Sequence, residues 1–68
     1  MAFKIWLKKF EGWETPRGDL ARDVARDKNF PGEDDYNVIL AHLRARGACK
    51  EAIQTFRRAW AAYQRESR

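Results

Sequence analysis

The feature that most constrains this chain is an amphipathic stretch in its last third, residues 49–65. Its large apolar side chains recur every three or four residues, the period of one helix face: Ile53, Phe56, Trp60 and Tyr63. A second set lies roughly 140° away at about 100° per residue and is mostly basic: Lys50, Gln54, Arg57, Arg58, Ala61 and Arg65. The pattern predicts a long helix with one buried face and one basic, solvated face.

The length of 68 residues predicts one domain, residues 1–68, in which 66–68 form a frayed tail. A domain of this size buries only about 60% of the surface of its unfolded chain, so its core must be efficient. Three Trp, four Phe and two Tyr can supply that core, because aromatic side chains bury large areas. We therefore expect the aromatic residues to be used mainly for packing.

Three earlier helices are predicted from the same periodicity. The first has the apolar positions Phe3, Trp6, Leu7 and Phe10. The second starts at a Thr15 N-cap followed by Pro16, or slightly later at Asp19. Its stripe of small residues is Leu20, Ala21, Val24 and Ala25. These patterns predict two short helices that pack closely.

The third helix is capped by Asp34 or Asp35, and Gly47 ends it. Its apolar stripe is Tyr36, Ile39, Leu40 and Leu43. Only two residues, Gly47 and Ala48, then precede residue 49, so the last two helices must meet at a sharp angle. Neither Ala48 nor Cys49 is a good N-cap, which predicts a joint held by packing or backbone turns.

Two loop residues have structural interpretations. Asp27 lies near the negative end of the second helix, where an acid is disfavoured, so we expect it to cap backbone N–H groups in the next turn. A partner-binding acid is the alternative for this position. Phe30 precedes Pro31 and is expected to fill the core from the loop.

The single cysteine, Cys49, cannot form an internal disulfide and has no metal-binding spacing around it. We expect it to be a half-buried structural residue, and we expect the only histidine, His42, to lie at the core edge or exposed. The free thiol is consistent with a reducing cytoplasm. Lysines interrupt the early apolar runs, and no segment is long enough to span a membrane.

No catalytic or cofactor motif is present in the sequence. Phosphate-binding loops, helical zinc motifs and Ser-His-Asp combinations are all missing, and the one serine, Ser67, lies near the end of the chain. The sequence therefore predicts a protein that is not an enzyme and that binds no metal, cofactor or small-molecule substrate.

The order of these motifs resembles the YozE SAM-like family, a largely uncharacterised group of small bacterial proteins. The most specific matches are Asp27, Phe30-Pro31 and the spacing of Phe56, Trp60 and Tyr63. The resemblance implies an all-α fold similar to the sterile alpha motif, a compact bundle of four to five helices with a long C-terminal helix. It suggests nucleic-acid binding only through similarity of fold. Other members often carry acids where this chain has Arg57, Arg58 and Arg65, and an aromatic residue where it has His42.

The first functional hypothesis is a non-catalytic module that binds duplex DNA. The net charge of +4 and a pI of about 9.6 permit contact with nucleic acid. The expected contacts are Arg44, Arg46, Lys50, Arg57, Arg58 and Arg65. Duplex is preferred because no aromatic residue is clearly left to stack on unpaired bases. The competing interpretation is a solvated face whose arginines pair incidentally with the many acids.

The second hypothesis is a protein-protein adaptor or an oligomerisation module. Folds of the sterile-alpha-motif type commonly associate by pairing an acidic surface with a basic one, and such contact can propagate head to tail. The expected acidic surface is Asp19, Asp23 and Asp27. An inhibitor that docks on a host enzyme is a third alternative, which genomic neighbourhood would test.

Overall fold

The helices of this chain follow the predicted periodicity in a computed structural model that describes residues 2–67. They are α1 (Phe3–Leu7), a 3-10 turn (Lys8–Phe10), α2 (Pro16–Arg26), α3 (Tyr36–Ala45) and α4 (Lys50–Glu66). No β-strand occurs within residues 2–67. The fold is thus an all-α bundle of four α-helices with a long last helix, as predicted.

The core is built on the apolar face of α4. Phe56, Trp60 and Tyr63 are buried there, whereas Ile53, predicted in the same stripe, is only half-buried. The ring of Phe3 from α1 lies among them, with its centroid 5.6 Å from Phe56, 5.1 Å from Trp60 and 5.4 Å from Tyr63. These tilted and edge-to-face contacts are the favoured arrangements for aromatic pairs. The first and last helices are therefore joined through one aromatic cluster.

The first helix depends on this packing, because five residues are too few for a helix that is stable alone. All four predicted apolar positions, Phe3, Trp6, Leu7 and Phe10, are buried. The Phe3 N–H also donates to Asp34 Oδ1 at 2.8 Å, and the Tyr63 hydroxyl donates to the other oxygen of Asp34. Asp34 thus binds the start of α1 to the end of α4.

The second helix begins as predicted at Thr15, whose Oγ1 accepts the Gly18 N–H at 3.1 Å. Leu20, Ala21 and Val24 are buried. Ala25 was predicted in the same stripe, but it is exposed in the last turn of the helix, beyond its packed part. A residue not predicted to be buried, Gly18, is enclosed where α2 passes the preceding loop.

The third helix is capped by Asp35, which accepts the Asn37 and Val38 N–H groups at 2.9 and 3.1 Å. Ile39 is fully buried, and the rest of its predicted stripe, Tyr36, Leu40 and Leu43, packs half-buried against the core. Of the two capping candidates, therefore, Asp35 takes the role and Asp34 has the different one described above.

The joint between α3 and α4 is a Schellman motif centred on Gly47, whose φ is +80°. The Ala48 N–H bonds to the Leu43 carbonyl and the Gly47 N–H to the Arg44 carbonyl, both at 3.0 Å. Among the described residues, no side chain caps the start of α4 at Cys49. The prediction of a joint held by backbone turns is thus confirmed.

Two predicted details at the ends of α4 are wrong. Cys49 is exposed, not half-buried, because its extended backbone places it before the helix and off the buried stripe. The helix also continues through Glu66, predicted to fray, and Lys9 Nζ binds the Glu66 carboxylate at 2.8 Å. Position 68, the end of the predicted tail, lies outside the described residues. Within residues 2–67, no helix has the length and apolar character needed to cross a membrane.

Candidate nucleic-acid interface

The outer face of α4 is exposed along its whole length. All six residues of the predicted polar face are exposed: Lys50, Gln54, Arg57, Arg58, Ala61 and Arg65. The buried residues of the same helix occupy the opposite side. We call the four cations of this face, Lys50, Arg57, Arg58 and Arg65, the basic stripe.

The cations of the basic stripe make no ion pair within the part of the chain that the structure describes. Six of the ten acidic side chains bond to other groups in the protein: Asp19, Asp23, Asp27, Asp34, Asp35 and Glu66. The described residues thus do not show the incidental pairing that the competing interpretation assumed for Arg57, Arg58 and Arg65. The guanidinium donors of the stripe face solvent.

Arg46 lies apart from the basic stripe. Its Nε is 3.6 Å from Asp27 Oδ2, and its side chain lines an open cleft with Ala48 and Ala52. Ala52 and Gln54 are two residues apart, which turns the helix by about 200°, so the cleft and the stripe lie on opposite sides of α4. The structure therefore divides the predicted basic site. Arg44 is exposed in the last turn of α3.

Asp27 occupies the cleft side and forms a pair that the sequence analysis did not predict. Its carboxylate is 8% exposed, and its Oδ2 lies 2.6 Å from His42 Nε2. The other oxygen accepts the Asn29 N–H at 3.0 Å, which confirms the predicted capping of the turn. The hydrogen bond with His42 is the main cause that lowers the pKa of Asp27; burial opposes it, and the Asn29 N–H and Arg46 act in the same direction as His42.

The proposed acidic surface is not continuous. Asp27 is buried, so its assignment to an exposed acidic patch is wrong. Asp19 and Asp23 are exposed, but Asp19 bonds to Arg22 and Asp23 Oδ1 lies 2.7 Å from Arg26 Nη2. This pairing along one helix makes the outer side of α2 a mixture of both charges.

Arg22 also stabilises the loop before α2. Its Nη1 donates to the carbonyls of Glu11 and Trp13 at 2.7 and 3.1 Å. Such bonds from a charged donor are stronger than neutral ones. Arg22 is thus a structural residue and not a free cation. A further acid, Glu66, has its pKa lowered mainly by the hydrogen bond that Lys9 Nζ donates to its carboxylate.

Trp13 is the aromatic residue that the sequence analysis assigned wrongly to packing. It is 51% exposed, while every other aromatic side chain within residues 2–67 is buried or half-buried. The sequence indicates this exposure, because Trp13 lies between Gly12 and the Thr15-Pro16 helix start, outside every apolar stripe. The reason for preferring duplex over unpaired bases is therefore removed.

No three His, Cys, Asp or Glu side chains of the described residues converge as ligands for a metal ion.

Comparison with known families gives a match to the family model described as the YozE SAM-like fold, over residues 2–65. Neither the curated proteins nor the solved structures include a match to this chain.

Proposed function

This chain belongs to the YozE SAM-like family, and from the geometry of α4 we propose a non-catalytic module that binds the phosphates of nucleic acid through the basic stripe. The observation that carries the proposal is that one face of α4 exposes four cations, none of which pairs with an acid within residues 2–67. Side-chain donors that make no bond within the described residues are available to phosphate oxygens.

The basic stripe has suitable dimensions for a nucleic-acid backbone. Lys50 and Arg65 are about 22 Å apart along the helix axis at about 1.5 Å per residue. Double-stranded DNA carries one negative charge for about every 1.7 Å of its axis, so several phosphates come within reach. Arginine forks bond to phosphate oxygens in a fixed geometry, and the net charge of +4 favours the encounter.

The contacts differ from those first expected in one respect. Arg46 is held near Asp27 on the opposite side of α4, and Arg44 belongs to another helix, so neither is part of the main contact surface. Glu51 lies exposed in the first turn of α4 and disfavours a phosphate at that helix end. We place the contact on Arg57 and Arg58, with Lys50 and Arg65 on either side.

The test is a fluorescence-anisotropy titration of a labelled, random-sequence blunt duplex. We expect micromolar affinity at physiological salt and a log-log salt slope of about −3.6, which corresponds to four phosphates neutralised at about −0.9 each. The variant Arg57→Glu/Arg58→Glu should lose this binding while keeping its helicity by circular dichroism.

A matched control separates the stripe from net charge. Lys8→Glu/Lys28→Glu changes the net charge equally at two exposed positions outside the stripe. We expect this variant to retain most of the affinity of the wild type. An equal loss of affinity in both variants would mean that affinity depends only on net charge. Absence of binding at low salt would rule out the nucleic-acid function.

The alternative, self-association or docking on a partner protein, has weaker support. It needs an acidic surface to pair with the basic stripe, but Asp19 and Asp23 of α2 are paired with arginines and Asp27 is buried. Sedimentation of the wild type over a range of protein concentrations tests it. Association that requires both Asp19/Asp23 and Arg57/Arg58 would favour this function over nucleic-acid binding.

A further inference from the structure

Trp13 lines a shallow pocket beside the basic stripe. The pocket has a volume of about 370 Å³ and is formed by Trp13, Thr15, Pro16, Arg17, Thr55 and Arg58. Its volume is within the range of about 300–1,000 Å³ that is usual for ligand sites. Because Arg58 belongs both to this Trp13 pocket and to the basic stripe, the two surfaces are continuous.

The indole of Trp13 is held in place although it is exposed. Its ring meets the ring of Phe10 edge to face at 4.7 Å, and the backbone N–H of Trp13 donates to the Phe10 carbonyl at 3.0 Å. Its own carbonyl accepts a hydrogen bond from Arg22. The loop is thus fixed on both sides of the side chain, and a ligand would not have to order it.

Arg17, the second arginine of the pocket, is also held in place by aromatic rings. The Arg17 guanidinium lies over the Phe10 ring at 5.0 Å and over the Trp6 ring at 5.7 Å, both within cation–π distance. The pocket therefore combines one exposed aromatic surface with two cations. Binding of single strands typically uses this combination, in which bases stack on aromatic rings while cations follow the backbone.

We propose that the Trp13 pocket takes an unpaired nucleobase of a nucleic acid whose phosphates lie on the basic stripe. The base stacks on the indole, and the adjoining phosphate bonds to Arg58. The inference rests on the proposed function and specifies its ligand as nucleic acid that combines a duplex with a single-stranded segment. A continuous duplex offers no unpaired base for this pocket.

The test compares two labelled ligands by anisotropy: a blunt duplex, and the same duplex with a short single-stranded thymidine overhang. The wild type should bind the overhang ligand about 5- to 150-fold more tightly, the gain usual for stacking one base. Trp13→Ala should abolish this preference and leave the affinity for the blunt duplex unchanged. Trp13→Phe should keep part of the preference, because a smaller aromatic ring remains.

The matched control is Ile5→Ala, which removes another exposed apolar side chain, 59% exposed and absent from the Trp13 pocket. Ile5→Ala should change the affinity for neither the blunt duplex nor the overhang ligand. Circular dichroism checks the helicity of each variant. Equal binding of the two ligands by the wild type, or equal loss of both in Trp13→Ala, would overturn the inference while the proposed function stands. If neither ligand binds, the proposed function fails and the inference fails with it.

Discussion

The carboxylate of Asp27 connects the end of α2 to α3. Asp27 ends α2, and one of its oxygens accepts the Asn29 N–H while the other contacts His42 on α3. The Phe30 ring packs edge to face on the same imidazole at 5.6 Å. The loop between α2 and α3 is therefore held by a polar contact and an aromatic contact at one point.

The first prediction concerns pH. Because its folded-state contacts lower the pKa of Asp27 below its ordinary value of 3.8, its stabilising effect is complete above that pH. The effect is lost as the pH falls below 3.8 towards the lower folded-state pKa. Asp27→Asn should lower the urea midpoint at pH 7, and its difference from the wild type should shrink between pH 5 and pH 3.

The control for this experiment is Asp23→Asn. Asp23 also pairs with an arginine, but its side chain is 69% exposed, and exposed pairs contribute little. We expect Asp23→Asn to unfold nearly as the wild type does at each pH. A difference for Asp27→Asn that stays constant down to pH 3 would contradict the role assigned to its charge.

At the scale of elements, α2 approaches the preceding loop so closely that position 18 has room for glycine alone. A Cβ on Gly18 would lie 1.9 Å from the Trp13 carbonyl oxygen and 3.0 Å from that of Phe10. Both neighbours are backbone atoms, which cannot rotate away as a side chain would. The helix and the loop would have to separate.

The second prediction follows from this close approach. Gly18→Ala should destabilise the fold by about 1–3 kcal/mol, the usual cost of overpacking, in spite of the better helix propensity of alanine. Urea unfolding measures the change. Gly12→Ala is the control, because a Cβ there meets nothing within 4 Å. Equal stability of the two variants would disprove the steric argument.

The same elements show what the sequence could predict. Helical periodicity predicted the buried sides of α1 and α4, because large apolar side chains recur there at fixed intervals. The Thr15 cap was predicted from local chemistry, namely a capping hydroxyl followed by proline. Neither signal could predict the pair of Asp27 and His42, which are 15 positions apart on different elements. Side-chain contacts between elements depend on how the helices are arranged.

The prediction of the interface was limited for the same reason: residues on different elements could not be placed relative to one another. The basic stripe of α4 was found because it lies on one helix, whose geometry is known in advance. Arg46 was grouped with it by nearness in sequence, yet the Schellman joint turns the chain and places Arg46 in the cleft. Trp13 was missed because the aromatic residues were expected from composition to be used mainly for packing.

For the whole molecule, stability depends on one aromatic cluster. A chain of this length typically has a net stability of roughly 3–10 kcal/mol, from about 0.05–0.15 kcal/mol per residue. Trp60 contacts the rings of Phe3, Tyr36, Phe56 and Tyr63 within this cluster. The free energy lost on removing one such side chain is therefore comparable to the entire net stability.

The third prediction is that Trp60→Ala destabilises the protein by about 3–5 kcal/mol and leaves it close to unfolded at 25 °C. Far-UV circular dichroism and a thermal melt measure this effect. Trp13→Ala is the matched control, since the same substitution removes a half-exposed indole. A similar fall in melting temperature for both variants would contradict the assignment of Trp60 to the core and Trp13 to the surface.

The position of Phe3 among Phe56, Trp60 and Tyr63 has a consequence for synthesis on the ribosome. These partners lie about 50 residues or more from Phe3 in sequence, and domains form as their chains emerge at about 5–20 residues per second. The nascent chain exposes α1, α2 and α3 before α4 leaves the exit tunnel. The first helix therefore cannot reach its packed state until the last helix has been synthesised.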